Sequence, residues 1–312
     1  MSKNVVLSVR DLKQYFRVNR STTIKAVDGV SFDIYQGETF AVVGESGSGK
    51  TTLGRSLIRI YDPLGDATFL GEKITGKLSK AQDRNLRQNM QMIFQDPMAS
   101  LNPRRKIIDT VAYGLDIYHR YSSKEERRQK VVDVLHSVGL SDDFLERYPH
   151  QFSGGQRQRI GVARAIIMEP KFIIADEIIS ALDVSIQAQV INLMRKLQVE
   201  HELTYMFIAH DLSMVRSISD RVAVMHLGHI VELGTVNDIY EHPVHPYTQS
   251  LLSSIPHPDP ILERTRRRKH YVKGEIDYNT GQIKYLNETH FVLSNDAEFD
   301  MWTAGDYSAS LQ

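Results

Sequence analysis

The chain has 312 residues, with 38 basic and 38 acidic side chains and a formal net charge of zero. Hydrophobic residues make up 41% and charged residues 24%, an ordinary globular composition with enough length for one large or two modest domains. Neutral balance argues against a global electrostatic grip on nucleic acid or an anionic membrane, and the lack of any cysteine excludes disulfides, thiolate zinc sites, iron–sulfur clusters and a cysteine nucleophile.

The start, MSKNVVLSVRD, lacks the basic start and long apolar stretch of a secretory signal. No run approaches the roughly 20 apolar residues that a membrane helix needs. A soluble, cytoplasmic protein is expected, reaching any membrane through a partner. Val5–Val9, Ala26–Ile34 and Thr39–Val43 read as short strands punctuated by Gly29 and Gly37, with Asn19–Thr23 as a hairpin loop. After Gly49 the run KTTLGRSLIRIY predicts a helix with Leu53, Leu57 and Ile60 near one face. From Asp62 to about Gln95 a second short β region ends in Met90–Phe94. Residues from Asp96 to about Met168 read as mainly helical. There Ser123 and Glu126 fit a capping box ahead of Val131, Val134, Leu135 and Val138, and Gly139 is the expected stop. From Phe172 to Leu233 the segment FIIA, a helix from Ile186 to about His201, YMFIAH and VAVMHLGHIVEL alternate, which implies a parallel sheet covered by helices. Beyond Pro243 repeated prolines break regular structure. Residues of about 255–270 read as a linker, and the last forty as a small appendix with β-like pieces.

The strongest motif is Gly44-Glu45-Ser46-Gly47-Ser48-Gly49-Lys50-Thr51, which matches G-x-x-x-x-G-K-[ST] between an apolar strand and a helix, the context it requires. Its glycines let the backbone curl so that N–H groups face phosphate oxygens, and the helix N-terminus adds partial positive charge. Lys50 can then reach the β- and γ-phosphates while the Thr51 hydroxyl ligates Mg²⁺. A chance glycine-rich turn would lack the flanking strand and helix. The second element is Phe172-Ile-Ile-Ala-Asp176-Glu177, an apolar strand ending in a carboxylate pair. Asp176 there can hold the Mg²⁺ hydration shell, and Glu177 can orient or deprotonate water. Alone it is weak, since acidic pairs often close hydrophobic runs. Gln95 and His210 follow the strands MQMIF and YMFIA, at the strand ends where ligands sit in open α/β sheets. A lone histidine there is ordinarily structural.

A further segment, Phe152-Ser153-Gly154-Gly155-Gln156, opens another helix N-terminus. In its order after the glutamine and before the Asp-Glu strand, it resembles the LSGGQ signature of the ATP-binding subunits of ABC transporters. The resemblance covers about residues 5–255. The runs Phe94–Pro103 (FQDPMASLNP), Ser180–Gln189 (SALDVSIQAQ) and His245-Pro246-Tyr247-Thr248 are similar to the oligopeptide/dipeptide importer branch.

That resemblance implies an α/β fold: a P-loop ATPase core with a mixed or parallel sheet, an N-terminal antiparallel β subdomain, a helical signature subdomain over about 96–168 and a small C-terminal extension. It implies an ABC-type domain over residues 1–255, with linker and extension over 256–312. It also implies ATP and Mg²⁺ as cofactors, with Gly44, Glu45, Ser46, Gly47, Ser48, Gly49, Lys50, Thr51 and Thr52 around the triphosphate. Phe16, or with less support Tyr15, would stack on adenine. Ser153, Gly154, Gly155 and Gln156 would face the nucleotide of a partner subunit, with Asp183 at the interface. Thr51, Gln95 and Asp176 would serve the metal, His210 the γ-phosphate, and Glu177 the water. The expected catalytic set is therefore Glu177, His210, Gln95 and Lys50. Implied partners are a second homologous ATPase, two membrane permease subunits and, indirectly, an external substrate-binding protein. Nucleic acid is not among them. The implied place is the cytoplasmic face of the membrane, and the implied work is energising oligopeptide import.

The alternatives are a nickel or other small-solute importer of the same branch, and a soluble ABC ATPase acting on nucleic acid or the ribosome. The latter usually carries two cassettes or a long coiled-coil insertion, neither of which appears in this length. A kinase-like P-loop module would need neither SGGQ nor the Asp-Glu pair. One departure from the family is Ile178, where proline usually follows the glutamate; an altered loop with retained chemistry is expected. Among bland candidates, His242 and His245 sit among prolines and read poorly as a metal site. Asp142, Asp143 and Glu146 read as a solvated helix start, Arg264–Lys269 as a solvated basic linker, and Asp220-Arg221 as a surface ion pair.

Overall fold

The computed structural model describes residues 4–180, 183–256, 268–272, 278, 280–307 and 310–311. Its strands are β1 (Val5–Arg17), β2 (Thr23–Tyr35), β3 (Thr39–Val43), β4 (Leu64–Phe69), β5 (Glu72–Lys73), β6 (Met90–Ile93), β7 (Phe172–Asp176), β8 (Thr204–Ala209), β9 (Arg221–His226), β10 (His229–Thr235), β11 (Gln282–Tyr285) and β12 (Phe291–Ser294). The helices are α1 (Lys50–Leu57), α2 (Lys80–Asn89), α3 (Pro97–Ser100), α4 (Ile107–Val111), α5 (Tyr113–Tyr118), α6 (Lys124–Ser137), α7 (Gly154–Ile166), α8 (Val184–His201), α9 (Leu212–Ile218), α10 (Val236–Glu241), α11 (Pro246–Ser253) and α12 (Asp296–Thr303).

A four-stranded antiparallel sheet, ordered β2-β1-β4-β5, packs against an eight-stranded sheet ordered β11-β12-β10-β9-β3-β8-β7-β6. Within the larger sheet β9, β3, β8, β7 and β6 run parallel, and β10, β12 and β11 continue it antiparallel. Strands β3, β7 and β8 are buried at every residue, as strands covered on both faces must be. Period-2 alternation divides their side chains. Phe40, Val42, Phe172 and Ile174 face the core shared with the antiparallel sheet. Ala41 and Val43 face the core under α9, α10 and α11. Ile173 and Ala175 face the core of the helical subdomain. Each fully buried side chain of Val to Phe size contributes about 1.5–3 kcal/mol. The parallel strands therefore form a rigid floor, and Gly44, Gln95, Glu177 and His210 leave it just beyond the carboxyl ends of β3, β6, β7 and β8.

Several local expectations change. The region from Asp62 to Gln95 is not wholly β: it contains α2, opened by a reciprocal capping box between Ser79 and Gln82. The helix after Gly49 stops at Leu57, because Arg59 turns to φ 63°, and Ile60 is left 50% exposed rather than on the buried face. At α6 the Ser123 hydroxyl accepts the Glu126 N–H, while the Glu126 carboxylate reaches Ser122 instead of closing the box. Arg221 does not pair with Asp220 on the surface. It is buried between Glu38 Oε1 (3.3 Å) and the Asp33 carbonyl (3.0 Å), while Asp220 accepts the Thr39 N–H at 2.8 Å. The last forty residues do carry β pieces, β11 and β12, and β12 pairs with β10, so the appendix extends the main sheet. A buried Glu232–His290 contact of 2.8 Å fastens that junction. The basic run falls largely outside the described residues, as do Ala181 and Leu182 before Asp183.

Candidate functional site

The Gly44–Thr51 turn leads from β3 into α1, and its shape depends on two glycines held by neighbouring backbone. Gly49 has φ 108°, and a Cβ there would lie 2.0 Å from the Ala26 carbonyl oxygen. Gly44 has φ 150°, with its would-be Cβ 2.1 Å from the Met225 carbonyl oxygen. No L side chain fits either place. The loop is further pinned by the Gly228 N–H, which donates to Ser48 O at 3.0 Å.

Lys50 opens α1 and is buried, its Nζ donating to Gly44 O and Glu45 O at 2.8 Å each. Burial pulls its pKa below the usual lysine value, opposed by the charges of Glu177, Asp176 and Glu45. The Thr51 hydroxyl donates to Asp176 Oδ1 at 2.9 Å. Asp176 is fully buried at the end of β7, and burial pushes its carboxyl above the usual range. Its Oδ2 is buried and, among the described residues, has no hydrogen-bond partner. A hydroxyl beside an under-coordinated carboxylate oxygen is the all-oxygen donor set that a hard divalent cation takes.

Glu177 lies beside this pair in the left-handed region, at φ 47°. Its N–H donates to Ile208 O, and its carbonyl accepts from Ser180 N and Oγ, so the surroundings hold the strained backbone. A following proline pushes its predecessor towards extended backbone; Ile178, buried in the helical-subdomain core, imposes no such restraint. The Glu177 carboxylate stays in the cleft, accepting from Gln95 Nε2 at 2.7 Å and lying 3.4 Å from His210 Nδ1.

Ser46, Gly47, Gly49, Lys50, Thr51, Thr52, Gln95 and Glu177 line a cleft of about 370 Å³; Asp176 lies behind its wall, reached through Thr51, and His210 is not among the lining residues. Ile24, Lys25, Ala26, Leu227 and Gly228 complete it, and sequence reasoning missed them. The available signal was the two-residue Leu227-Gly228 turn of the β9–β10 hairpin, which leaves Leu227 56% exposed. Phe16 pairs across the hairpin with cleft-lining Ile24 and meets Tyr61 edge-on at 5.0 Å. Tyr15 faces elsewhere, its hydroxyl bonded to Asp28.

The segment 153–156 is not brought to this cleft. Ser153 caps α7 in a reciprocal box with Gln156, and Ser153 and Gly154 are exposed. Asp183 is likewise exposed, at the start of α8. Within one chain the structure thus presents two separate glycine-rich helix starts. His245 is fully buried, its Nδ1 accepting the Tyr247 N–H at 3.1 Å as the cap of α11; burial pulls its pKa down to about 3. Among the described residues no group of three or more His, Asp or Glu could hold a metal ion.

Comparison with known proteins gives this geometry a lineage. The ABC transporter family model matches residues 27–180, and the oligopeptide/dipeptide transporter C-terminal region matches 231–282. The oligopeptide transport ATP-binding proteins OppF of Streptococcus mutans and Bacillus subtilis are each 54% identical, over 95% and 94% of this chain and 97% of their own lengths. The dipeptide transport ATP-binding protein DppF of Lactococcus lactis is 52% identical over 95% of this chain and 96% of its own. Among solved structures, cbiO1 of Clostridium perfringens, part of an ABC transporter complex, superposes with a TM-score of 0.67 at 27% identity, covering 77% of this chain and 92% of its own. The dimeric ATP-binding cassette MJ0796, in a post-hydrolysis state bound to ADP and Pi, gives 0.66 at 26% identity over 74% and 98%. The chain belongs to the ABC transporter family, in the branch that carries the oligopeptide/dipeptide C-terminal region.

Proposed function

We propose that this protein is the ATP-hydrolysing subunit that energises oligopeptide import through a membrane ABC transporter. The observation that carries the reading is the convergence of Lys50, the Thr51–Asp176 pair and the Gln95–Glu177 pair on one cleft, while the signature helix faces out of it. The peptide and dipeptide names of the relatives favour peptide over nickel as cargo.

The loop N–H groups and Lys50 receive the triphosphate, moving Lys50 Nζ from loop carbonyls to phosphate oxygens. Thr51 and Asp176, with Gln95 nearby, would hold Mg²⁺, which would supply charge neutralisation for phosphoryl transfer. Phe16 offers its ring to adenine. Glu177 accepts a proton from the attacking water, Gln95 orients that carboxylate and water, and His210 approaches the γ-phosphate. Ser153, Gly154, Gly155 and Gln156 supply further donors to the nucleotide of a partner subunit, with Asp183 beside the junction. Completing the site only on closure ties hydrolysis to a large movement.

The partner is a second, OppD-like ATPase, and two permease subunits receive the movement. An external substrate-binding protein acts through them. A groove of about 430 Å³ beside Gln95, lined by Leu86, Met90, Phe94, Tyr113 and Ile117 among others, offers an apolar seat for a permease segment. The names of the relatives as transport ATP-binding proteins support peripheral attachment at the cytoplasmic face; among the described residues no helix is long and apolar enough to cross a membrane. Residues 1–255 serve as the ATPase domain and 256–312 as linker and extension. The test is ATPase activity of this chain alone and after co-expression with its permease partners. Weak activity alone and strong activity assembled is the expected result; full turnover by a strict monomer overturns the shared-site reading.

A further inference from the structure

Helix α11 lies far along the chain from the phosphate loop, yet it reaches back to it. Tyr247 is 1% exposed, and its hydroxyl accepts the Glu45 N–H at 2.9 Å. That N–H belongs to the Gly44–Glu45 peptide, whose carbonyl oxygen on Gly44 accepts from Lys50 Nζ at 2.8 Å. One peptide unit is therefore held from both sides, by Tyr247 behind and Lys50 in front. Because a peptide is planar, holding its N–H also fixes where its carbonyl points. Gly44 carries no side chain, so its own torsions resist a flip of this peptide weakly. An external hydrogen bond is the device that remains.

Tyr247 is itself fixed from several directions. Pro246 begins α11, and His245 Nδ1 caps the Tyr247 N–H. The buried Glu232 carboxylate accepts the N–H groups of Val244 and His245 at 2.8 and 3.0 Å, which ties the segment to β10. The Tyr247 ring lies 4.0 Å from the His226 ring, and Tyr271 meets it edge-on at 5.6 Å. His226 Nδ1 in turn lies 2.6 Å from the Tyr278 hydroxyl. Tyr271 and Tyr278 belong to the C-terminal extension.

We infer that Tyr247 is a positioning residue for the phosphate loop, whose hydroxyl orients the Gly44–Glu45 peptide so that Lys50 is presented to the β- and γ-phosphates. The extension holds that hydroxyl in place through His226, Tyr271 and Tyr278. The consequence for nucleotide rests on the ATPase reading, whereas the effect on the loop does not. Burial raises the pKa of Tyr247, so the group stays a neutral phenol, and removing its hydroxyl changes no charge.

Tyr247→Phe keeps the ring and its stacking and deletes only the hydroxyl. In the full chain without nucleotide, hydrogen exchange of the segment 44–50 should accelerate by about 3–10-fold, the worth of one hydrogen bond, while β7 and β8 keep their protection. ATP affinity should fall by about the same factor. In the assembled transporter the loss should appear in KM more than in kcat. A merely structural role would instead lower the melting temperature and loosen protection throughout. Tyr278→Phe, which removes the hydroxyl that His226 touches, should shift loop exchange in the same direction by less. It carries the test if Tyr247→Phe does not fold. Unchanged loop exchange in the folded Tyr247→Phe variant overturns the proposal, whatever ATP does. Accelerated loop exchange in a protein that never binds ATP leaves the positioning claim standing and sinks the ATPase reading instead.

Discussion

Two glycine-rich helix starts in this chain have opposite surroundings. At α1 the chain closes around its own loop: Ala26, Met225, Gly228 and Tyr247 all press on it, and Lys50, Asp176 and Glu177 converge there. At α7 the turn is shaped equally well by the Ser153–Gln156 box, but its N-terminus opens to solvent. A helix N-terminus attracts anions in either setting. The difference teaches that preorganisation and completeness are separate properties. On the proposed mechanism the first start needs only a ligand, and the second a ligand carried by another subunit.

The largest effect expected from breaking this contrast is at Glu177. Glu177→Gln should retain ATP binding but lose about 10²–10⁴-fold in hydrolysis, measured by phosphate release from the assembled transporter. Near-normal turnover would remove Glu177 from the proton-accepting role.

Gly154→Asp strikes the other helix start. A carboxylate in the first turn of α7 favours the helix, yet it would face the partner's triphosphate. Turnover of the assembled complex should fall by about 10²–10³-fold, the scale of losing one preorganised donor. ATP affinity of the isolated chain, measured by calorimetry, should stay unchanged. Lost affinity in the isolated chain would place the segment in the chain's own site.

Gly49→Ala sharpens the comparison on the crowded side. Its Cβ would meet the Ala26 carbonyl in a left-handed backbone, so denaturant unfolding should show a loss greater than the about 1–3 kcal/mol of backbone strain alone, together with loss of ATP binding.

The smallest effect is a gain. Because burial raises the Asp176 pKa, the folded chain holds that proton more tightly than the unfolded chain. The stability this gives is present below the unfolded carboxyl value and is lost as pH rises through the folded one. Ionised Asp176 therefore weighs against folding at neutral pH. Asp176→Asn should be more stable than the parent at pH 7, with the advantage vanishing near about pH 3, while hydrolysis is lost. Urea midpoints at the two pH values check the sign.

Much of the crowded half was legible because its signals are local. Strand, glycine turn, Lys50 and helix follow within a dozen residues, and Asp176-Glu177 closes an unbroken apolar strand. The signals that failed depend on distant partners. Ile24, Ala26 and Leu227 enter the cleft only because the antiparallel sheet docks on the β9–β10 hairpin. Arg221 reads as half of a surface pair, but it bridges β2 and the turn ahead of β3 from a buried place. Helix α2 escaped notice because Leu86 is its one buried residue, too few for a periodicity to emerge. The union of β12 with β10 rests on Glu232 and His290, 58 positions apart.

Whether the nucleotide site is shared between subunits depends on where the 153–156 segment lies when nucleotide is bound. The direct measurement is a cryo-EM structure of the assembled transporter carrying Glu177→Gln and loaded with ATP. The expected result places Ser153 and the Gly155 and Gln156 amides within about 3 Å of a phosphate held on the partner's loop. A map in which both triphosphates are fully ordered while this segment faces solvent or its own chain would contradict it.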